Sequence, residues 1–323
     1  MIDPITRTWL LVGGVLAVLA AATGVGQYLR VRSRTGELNP SVVSDFNLRI
    51  RAWWLISSVL AIAFLFPQWV TVLVFGLISF WALREFISLT PTRLGDHRAL
   101  NWLFYFITPL QFFLVGLGSQ FYDLYSVLIP VYAFLFIPIR IAFSGDAKRF
   151  LERSAKIQFG LMVCVYCLSY APALMSLKIE GYQDSWDRAR LLFFFVLIAQ
   201  LSELTEYLWQ RLAGRRIIAP LINPNRTWES LIGSMGSCSL VGGALYWATP
   251  FPAWMAAGLS AVIAMMGFAG AMTMSTIKRD RGVSDYGTLV TGHGGVLDRI
   301  DSICFAAPVF FHFTRFIIGA NLL

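Results

Sequence analysis

Ten runs of apolar residues, at about 8–29, 52–66, 68–83, 101–118, 121–139, 157–177, 191–209, 230–249, 252–277 and 303–321, dominate this chain. A helix crossing roughly 30 Å of hydrocarbon needs about 20 such residues. Ten crossings therefore take up about 200 of the 323 residues and leave no room for a large water-soluble domain. Inside a bilayer every backbone N–H and C=O must find its partner within the chain, which selects helices for runs of this length. The expected fold class is all-α, a polytopic transmembrane helix bundle of about ten spans. Composition agrees, at 57% hydrophobic and 14% charged residues, against about 25% charged in ordinary soluble domains.

The cations give the bundle an expected orientation. With the N-terminus outside, alternate loops hold Arg30, Arg32, Arg34, Arg49 and Arg51; Arg84, Arg93 and Arg98; Arg140, Lys148, Arg149, Arg153 and Lys156; Arg211, Arg215, Arg216 and Arg226; and Lys278, Arg279, Arg281 and Arg299. These are 21 of the 26 basic residues. Cytoplasmic loops carry the excess of Lys and Arg, so an even number of spans with both termini outside is expected. The first run reads as a retained span, because its arginines follow it, whereas a signal peptide carries its cations in front. The net charge of +8 is assigned to orientation and anionic lipid, and no nucleic-acid partner is expected. Cys164, Cys167, Cys238 and Cys304 fall in apolar stretches and read as small buried hydrophobes.

Residues 1–190 read as hydrophobic spans joined by basic loops, and chemistry concentrates in 191–323. Glu203 and Glu206, three apart on the seventh span, share a helix face. Acids within a membrane helix are costly and mark functional sites, here a cation site or a proton relay. In the following loop Pro220 and Pro224 force extended backbone, Thr227 or Asn225 is placed to cap the eighth span, and Arg226 faces phosphate or lipid head groups. Between the ninth and tenth spans lie Ser275, Lys278, Arg279, Asp280, Arg281, Asp285, His293, Gly294, Gly295, Asp298, Arg299 and Asp301. Hard carboxylate oxygens suit Mg²⁺ together with substrate phosphates. Lys and Arg match phosphate oxygens, and Asp298 and Asp301 lie one helical turn apart if the last span starts there. A loop that only set topology needs the cations and not the aspartates.

At these residues the chain resembles the phosphatidate cytidylyltransferase family (CDP-diacylglycerol synthases), whose C-terminal signature reads roughly S-x-x-K-R-x4-K-D and then H-G-G-x-x-D-R-x-D. Ser275, Lys278, Arg279, Asp285, His293, Gly294, Gly295, Asp298, Arg299 and Asp301 match it, and Asn223–Glu229 is similar to the family's S-P-x-K-T-W-E segment. The likeness covers residues 200–323 well and the first half mainly as topology. Ser284 stands where the family has its second signature lysine, and Arg226 replaces the loop lysine. Glu203 stands for an aspartate, and Ala271 and Met274 fall where many members carry acids.

The resemblance implies that phosphatidate and CTP give CDP-diacylglycerol and pyrophosphate by Mg²⁺-dependent nucleotidyl transfer. The enzyme would be integral to a bacterial inner membrane, with its site on the cytoplasmic face and a homodimer as the family's assembly. It implies Asp285, Asp298, Asp301 and Glu203 as metal ligands, with a monovalent cation as a further candidate. Lys278, Arg279, Arg299 and Arg226 would neutralise phosphates, and Ser275, Asn223, Thr227, His293, Gly294 and Gly295 would shape the substrate loop. Two other readings remain at this point. One is a non-catalytic or altered-substrate relative, suggested by Ala271, Met274 and Ser284, and the other is an ion-coupled transporter using Glu203 and Glu206.

Overall fold

A computed structural model describes residues 4–34, 66–90, 92–179, 185–283 and 295–320, with isolated positions between 43 and 61. The described residues form nine principal helices: α1 (Pro4–Arg34), α2 (Gln68–Ser88), α3 (Leu94–Gly116), α4 (Ser119–Ala142), α5 (Phe150–Ser176), α6 (Ser185–Ala213), α7 (Trp228–Ala244), α8 (Ala253–Arg281) and α9 (Leu297–Gly319). All except α7 contain a stretch long and apolar enough to cross a membrane, and the fold is an all-α polytopic bundle. The expected second span, at 52–66, falls largely outside the described residues. The run at 230–249 is shorter than expected, because α7 stops at Ala244 and a 3-10 turn, Tyr246–Ala248, follows it.

The middle helices are interrupted by wide π turns at Leu103–Ile107, Leu128–Ala133 and Met162–Cys167. Prolines lie close by at Pro109, Pro130 and Pro172, and a proline lacks the N–H needed for regular i→i−4 bonding. The Leu103 carbonyl accepts from the Thr108 backbone N–H across the widened turn and, at 2.9 Å, from Thr108 Oγ1 as well.

The bundle is tightest where α6, α7, α8 and α9 meet. Association in lipid depends on close packing and small residues more than on hydrophobic burial. Ser234 on α7 donates to the Ser202 carbonyl on α6 at 3.0 Å. A Cβ at Gly267 on α8 would lie 3.2 Å from Ser202 Oγ and 3.3 Å from Ser302 Cβ, so three helices converge at one level. At Gly270 a Cβ would sit 2.7 Å from the Asp301 carbonyl oxygen and 2.9 Å from the Phe305 ring. We expect Gly270→Ala to push α8 from α9 and to cost about 1–3 kcal/mol, the usual range for overpacking, read as a lowered melting temperature in detergent.

Among the described residues, the cationic loops after α2 and before α5 meet each other. Arg93, before α3, pairs with Asp146, in the turn before α5, at 3.2 Å. Arg153 reaches buried Asp96 at 3.1 Å and Asp146 at 2.9 Å. A second group of contacts joins the ends of α2, α6, α8 and the start of α9, and it forms the candidate site.

Candidate active site

Between α6 and α7 the chain makes a two-stranded antiparallel hairpin, β1 (Ile217–Ala219) and β2 (Asn223–Thr227), with Ile217 opposite Thr227 and Ala219 opposite Asn223. Pro220 and Pro224 favour extended backbone here, and the pairing of the two strands is a tertiary addition to that local preference. Thr227 ends the hairpin and caps α7. Its Oγ1 accepts from Ser230 N at 3.1 Å while Thr227 N donates to Ser230 Oγ at 3.2 Å. The Thr227 hydroxyl therefore serves the helix start, and Thr227→Ala should cost about 1 kcal/mol of stability, as cap removal does, with the loss read by thermal melting. Glu229 Oε2 accepts from the amides of Arg216 (3.1 Å) and Arg215 (3.2 Å), fastening the two ends of the hairpin. The amides of Arg216, of Glu229 itself and of Arg215 hold the Glu229 carboxyl below its usual range.

The hairpin leans over the end of α8. Asn223 Nδ2 donates to Ser275 Oγ at 3.2 Å, and Arg279 Nε donates to the Ile222 carbonyl at 3.2 Å. Arg226 pairs with buried Glu206 on α6 and lies 5.3 Å above the Phe268 ring of α8. Glu203 and Glu206, expected to act together on a shared face, have different partners. Glu206 is committed to a cation from the hairpin, whereas Glu203 accepts from Ser302 Oγ on α9.

Asp298 and Asp301 both stand in the first turns of α9, one turn apart as expected. Lys278 Nζ lies 2.9 Å from Asp298 Oδ1, and Gly295 N donates to Asp298 Oδ2 at 2.9 Å. Asp298 is thus already partnered by a lysine and a backbone amide. Asp301, only 9% exposed, accepts from Ser302 N at 2.7 Å. The charges acting on it are those of Glu203, Arg226 and Lys278. Glu203, Arg226, Lys278, Asp298 and Asp301 therefore form one group drawn from α6, the hairpin, α8 and α9. Asp285, His293 and Gly294 lie outside the described residues. Among the described residues no three His, Cys, Asp or Glu side chains form a metal cluster. Glu203 and Asp301 supply hard oxygens from two neighbouring helices, a donor set that fits Mg²⁺, which takes one or two carboxylates and leaves its other positions to waters and phosphates.

Glu85, at the end of α2, joins this end of the bundle although the sequence motifs do not mark it. Its two carboxylate oxygens accept from Val296 N (3.0 Å) and Leu297 N (2.9 Å), the first amides of α9. Orphan N–H groups at a helix start seek such a partner, and the dipole favours a negative charge there. A residue of the first half thereby fixes the segment that carries Asp298 and Asp301. The span expected at 68–83 ends two residues before Glu85 and assigns it to a loop, yet α2 continues to Ser88 and Glu85 is buried. The usable signal was an acid directly beyond an apolar run and adjacent to Arg84.

At the two positions where the resemblance led acids to be expected, α8 presents Ala271 and Met274, both buried. The helix is therefore apolar at those two positions, and the buried carboxylates that meet Lys278 and Arg226 come from α6 and α9.

A polytopic bundle that gathers carboxylates and phosphate-matching cations at one membrane boundary defines a class, that of membrane-embedded enzymes acting on charged, phosphate-bearing substrates. Residues 47–317 match the cytidylyltransferase family. The chain belongs to that family, and it is a nucleotidyltransferase. It is 35% identical to the Escherichia coli (strain K12) protein named uncharacterized protein YnbB, over 94% of this chain and 96% of that one. It is 29% identical to the phosphatidate cytidylyltransferase of Staphylococcus aureus (strain COL) over 48% of this chain and 60% of that enzyme. The Staphylococcus epidermidis phosphatidate cytidylyltransferase gives 30% identity over the same shares. The chain thus spans less than two thirds of the length of the phosphatidate cytidylyltransferases it matches.

Proposed function

We propose that this protein transfers a cytidylyl group from CTP to the phosphate of phosphatidate, giving CDP-diacylglycerol and pyrophosphate at the cytoplasmic face of the membrane. The observation that carries the reading is the meeting of Asp301, Glu203 and Asp298 with Lys278 and Arg226 at one end of the bundle. A phosphate oxygen of the lipid attacks the α-phosphorus of CTP. The new P–O bond forms as the α,β-bridging P–O bond breaks, and pyrophosphate leaves with the bonding pair. Such a displacement needs positioning and charge neutralisation more than covalent participation by the protein.

Lys278 and Arg279, at the end of α8, together with Arg226 of the hairpin would neutralise the polyphosphate and the lipid phosphate. Arg299, on the first turn of α9, adds a further cation. Asn223 and Ser275, already joined, hold the hairpin against α8 so that Arg226 stays over the site. Since Asp298 takes the Gly295 amide just before α9 and Glu85 takes those of Val296 and Leu297, phosphate recognition falls to these side chains rather than to that helix terminus. Mg²⁺, when bound, would be held by Asp301 and Glu203, with Asp298 and Asp285 as further oxygens, and would neutralise charge building on the phosphates. The cytoplasmic assignment rests on the distribution of Lys and Arg.

A second reading is favoured by buried Ala271 and Met274, namely the same transfer to a different lipid acceptor. Purified protein given labelled CTP and Mg²⁺, with phosphatidate in one arm and other phosphorylated lipid alcohols in parallel arms, separates the two. CDP-diacylglycerol from phosphatidate supports the first reading, and product only in another arm supports the second. Label in no lipid at any magnesium concentration contradicts both.

A further inference from the structure

At the end of the bundle opposite the acids, Arg315 on α9 stands in a setting that nucleotidyl transfer does not use. It lies fourteen residues beyond Asp301, about 21 Å along a helix rising 1.5 Å per residue. Its guanidinium sits 3.4 Å from the centre of the Tyr122 ring at the start of α4. Among the described residues no carboxylate is within ion-pair distance of it. Tyr122 Oη is 3.3 Å from His312 Nδ1, one turn earlier on α9. The hydroxyl of fully buried Tyr125 has no hydrogen-bond partner among the described residues and lies within the electrostatic reach of Arg315. Phe313 and Phe316, which flank Arg315 in the sequence, are 48% and 68% exposed.

We infer that Arg315, His312 and Tyr122 form a binding site for the phosphate of an anionic phospholipid in the leaflet opposite the Glu203–Asp301 site. A guanidinium near hydrocarbon is costly unless it is paired or reaches water. Stacking on Tyr122 shields one face and leaves the planar fork able to hold two phosphate oxygens. Fully buried Tyr125 packs edge-on against Tyr122, 5.5 Å between ring centres, and backs the ring on which Arg315 is stacked. Exposed Phe313 and Phe316, three apart and so on one face of α9 to one side of Arg315, offer an apolar wall for acyl chains, which a free phosphate ion has no use for. Charge and apolar surface together select a lipid.

The test uses the full-length protein in phosphatidylcholine vesicles carrying a minor fraction of phosphatidylglycerol with a photoreactive group near its phosphate, with cross-links mapped by peptide mass spectrometry. Label should fall on peptides containing Tyr122 and His312–Phe316, and Arg315→Gln should lower it there about fivefold to tenfold, the worth of one cation at a charged lipid surface. Label elsewhere and the melting temperature should be unchanged. Arg315→Lys, which keeps the charge without the fork, should give an intermediate result and guards against misfolding of the glutamine variant. Labelling indifferent to both substitutions, equal labelling by a photoreactive phosphatidylcholine, or displacement of the lipid by millimolar inorganic phosphate would overturn the inference.

Discussion

Asp301→Ala should lower nucleotidyl transfer about 100- to 1,000-fold, the loss that follows removal of one pre-organised electrostatic group from a reacting centre. The expectation rests on position. Asp301 is buried on α9, and the charges around it belong to Glu203, Arg226 and Lys278. Asp298, one turn earlier, already shares its carboxylate between Lys278 and the Gly295 amide. Its removal frees a lysine as well as an oxygen, so its phenotype mixes two effects, whereas that of Asp301 is cleaner. Asp301→Asn keeps the size and the acceptor to Ser302 N but loses the charge, and it should be nearly as inactive as the alanine variant. Initial rates at saturating magnesium check this, with melting temperatures alongside to show that the bundle is intact. If Asp301→Asn retains more than a third of the wild-type rate, the charge at this position is not part of the reaction.

Glu85→Ala should combine a fall in stability with a fall in rate. The Glu85 carboxylate accepts from two amides at a buried helix start, and hydrogen bonds to a charged group are worth about 1.5–3 kcal/mol. Removing it leaves Val296 N and Leu297 N without their acceptor and loosens the segment that carries Asp298 and Asp301. Partners that orient catalytic ligands from outside the first contact typically cost about 10- to 100-fold when removed, and that range is expected for kcat. Glu85→Gln keeps one acceptor oxygen and should lie between wild type and the alanine variant in both measurements. A purely structural role would lower the melting temperature and leave the rate per folded molecule unchanged, so kcat referred to the folded fraction separates the cases.

Much of this architecture was legible because a bilayer imposes a length. Runs of about 20 apolar residues have few alternatives to a spanning helix, and eight of the expected spans correspond to long apolar helices. Grouping loops by their cations was informative for the same reason, and the Arg93–Asp146 and Lys278–Asp298 contacts join loops and helix ends that the grouping assigns to a single face. Helix ends were less legible. Helices continue past the apolar run into the interface, as α2 does through Glu85 and α9 does from Leu297 onward.

Within the site, residue types were legible and pairings were not. Glu203 and Glu206 share a face in any helix, but only the folded hairpin brings Arg226 to Glu206 and leaves Glu203 facing Ser302. The role of Glu85 was illegible for a related reason. Its partners are backbone amides more than two hundred residues away, and no side-chain spacing encodes such a bond. The cap of α7 was legible to within two candidates, since a threonine or asparagine after extended backbone favours a helix start, and the fold uses Thr227 rather than Asn225.

In the proposed reaction, carboxylates of α6 and α9 and cations of α8 and the hairpin together hold a metal–triphosphate complex at one membrane boundary. The most direct test is a structure of the protein soaked with CTP and Mn²⁺, located by the anomalous signal of the metal. The expected result is a metal about 2 Å from an Asp301 oxygen, as hard-cation coordination requires, with Glu203 beside it and the triphosphate against Lys278. Metal and nucleotide bound elsewhere, with Asp301 and Glu203 untouched, would contradict it.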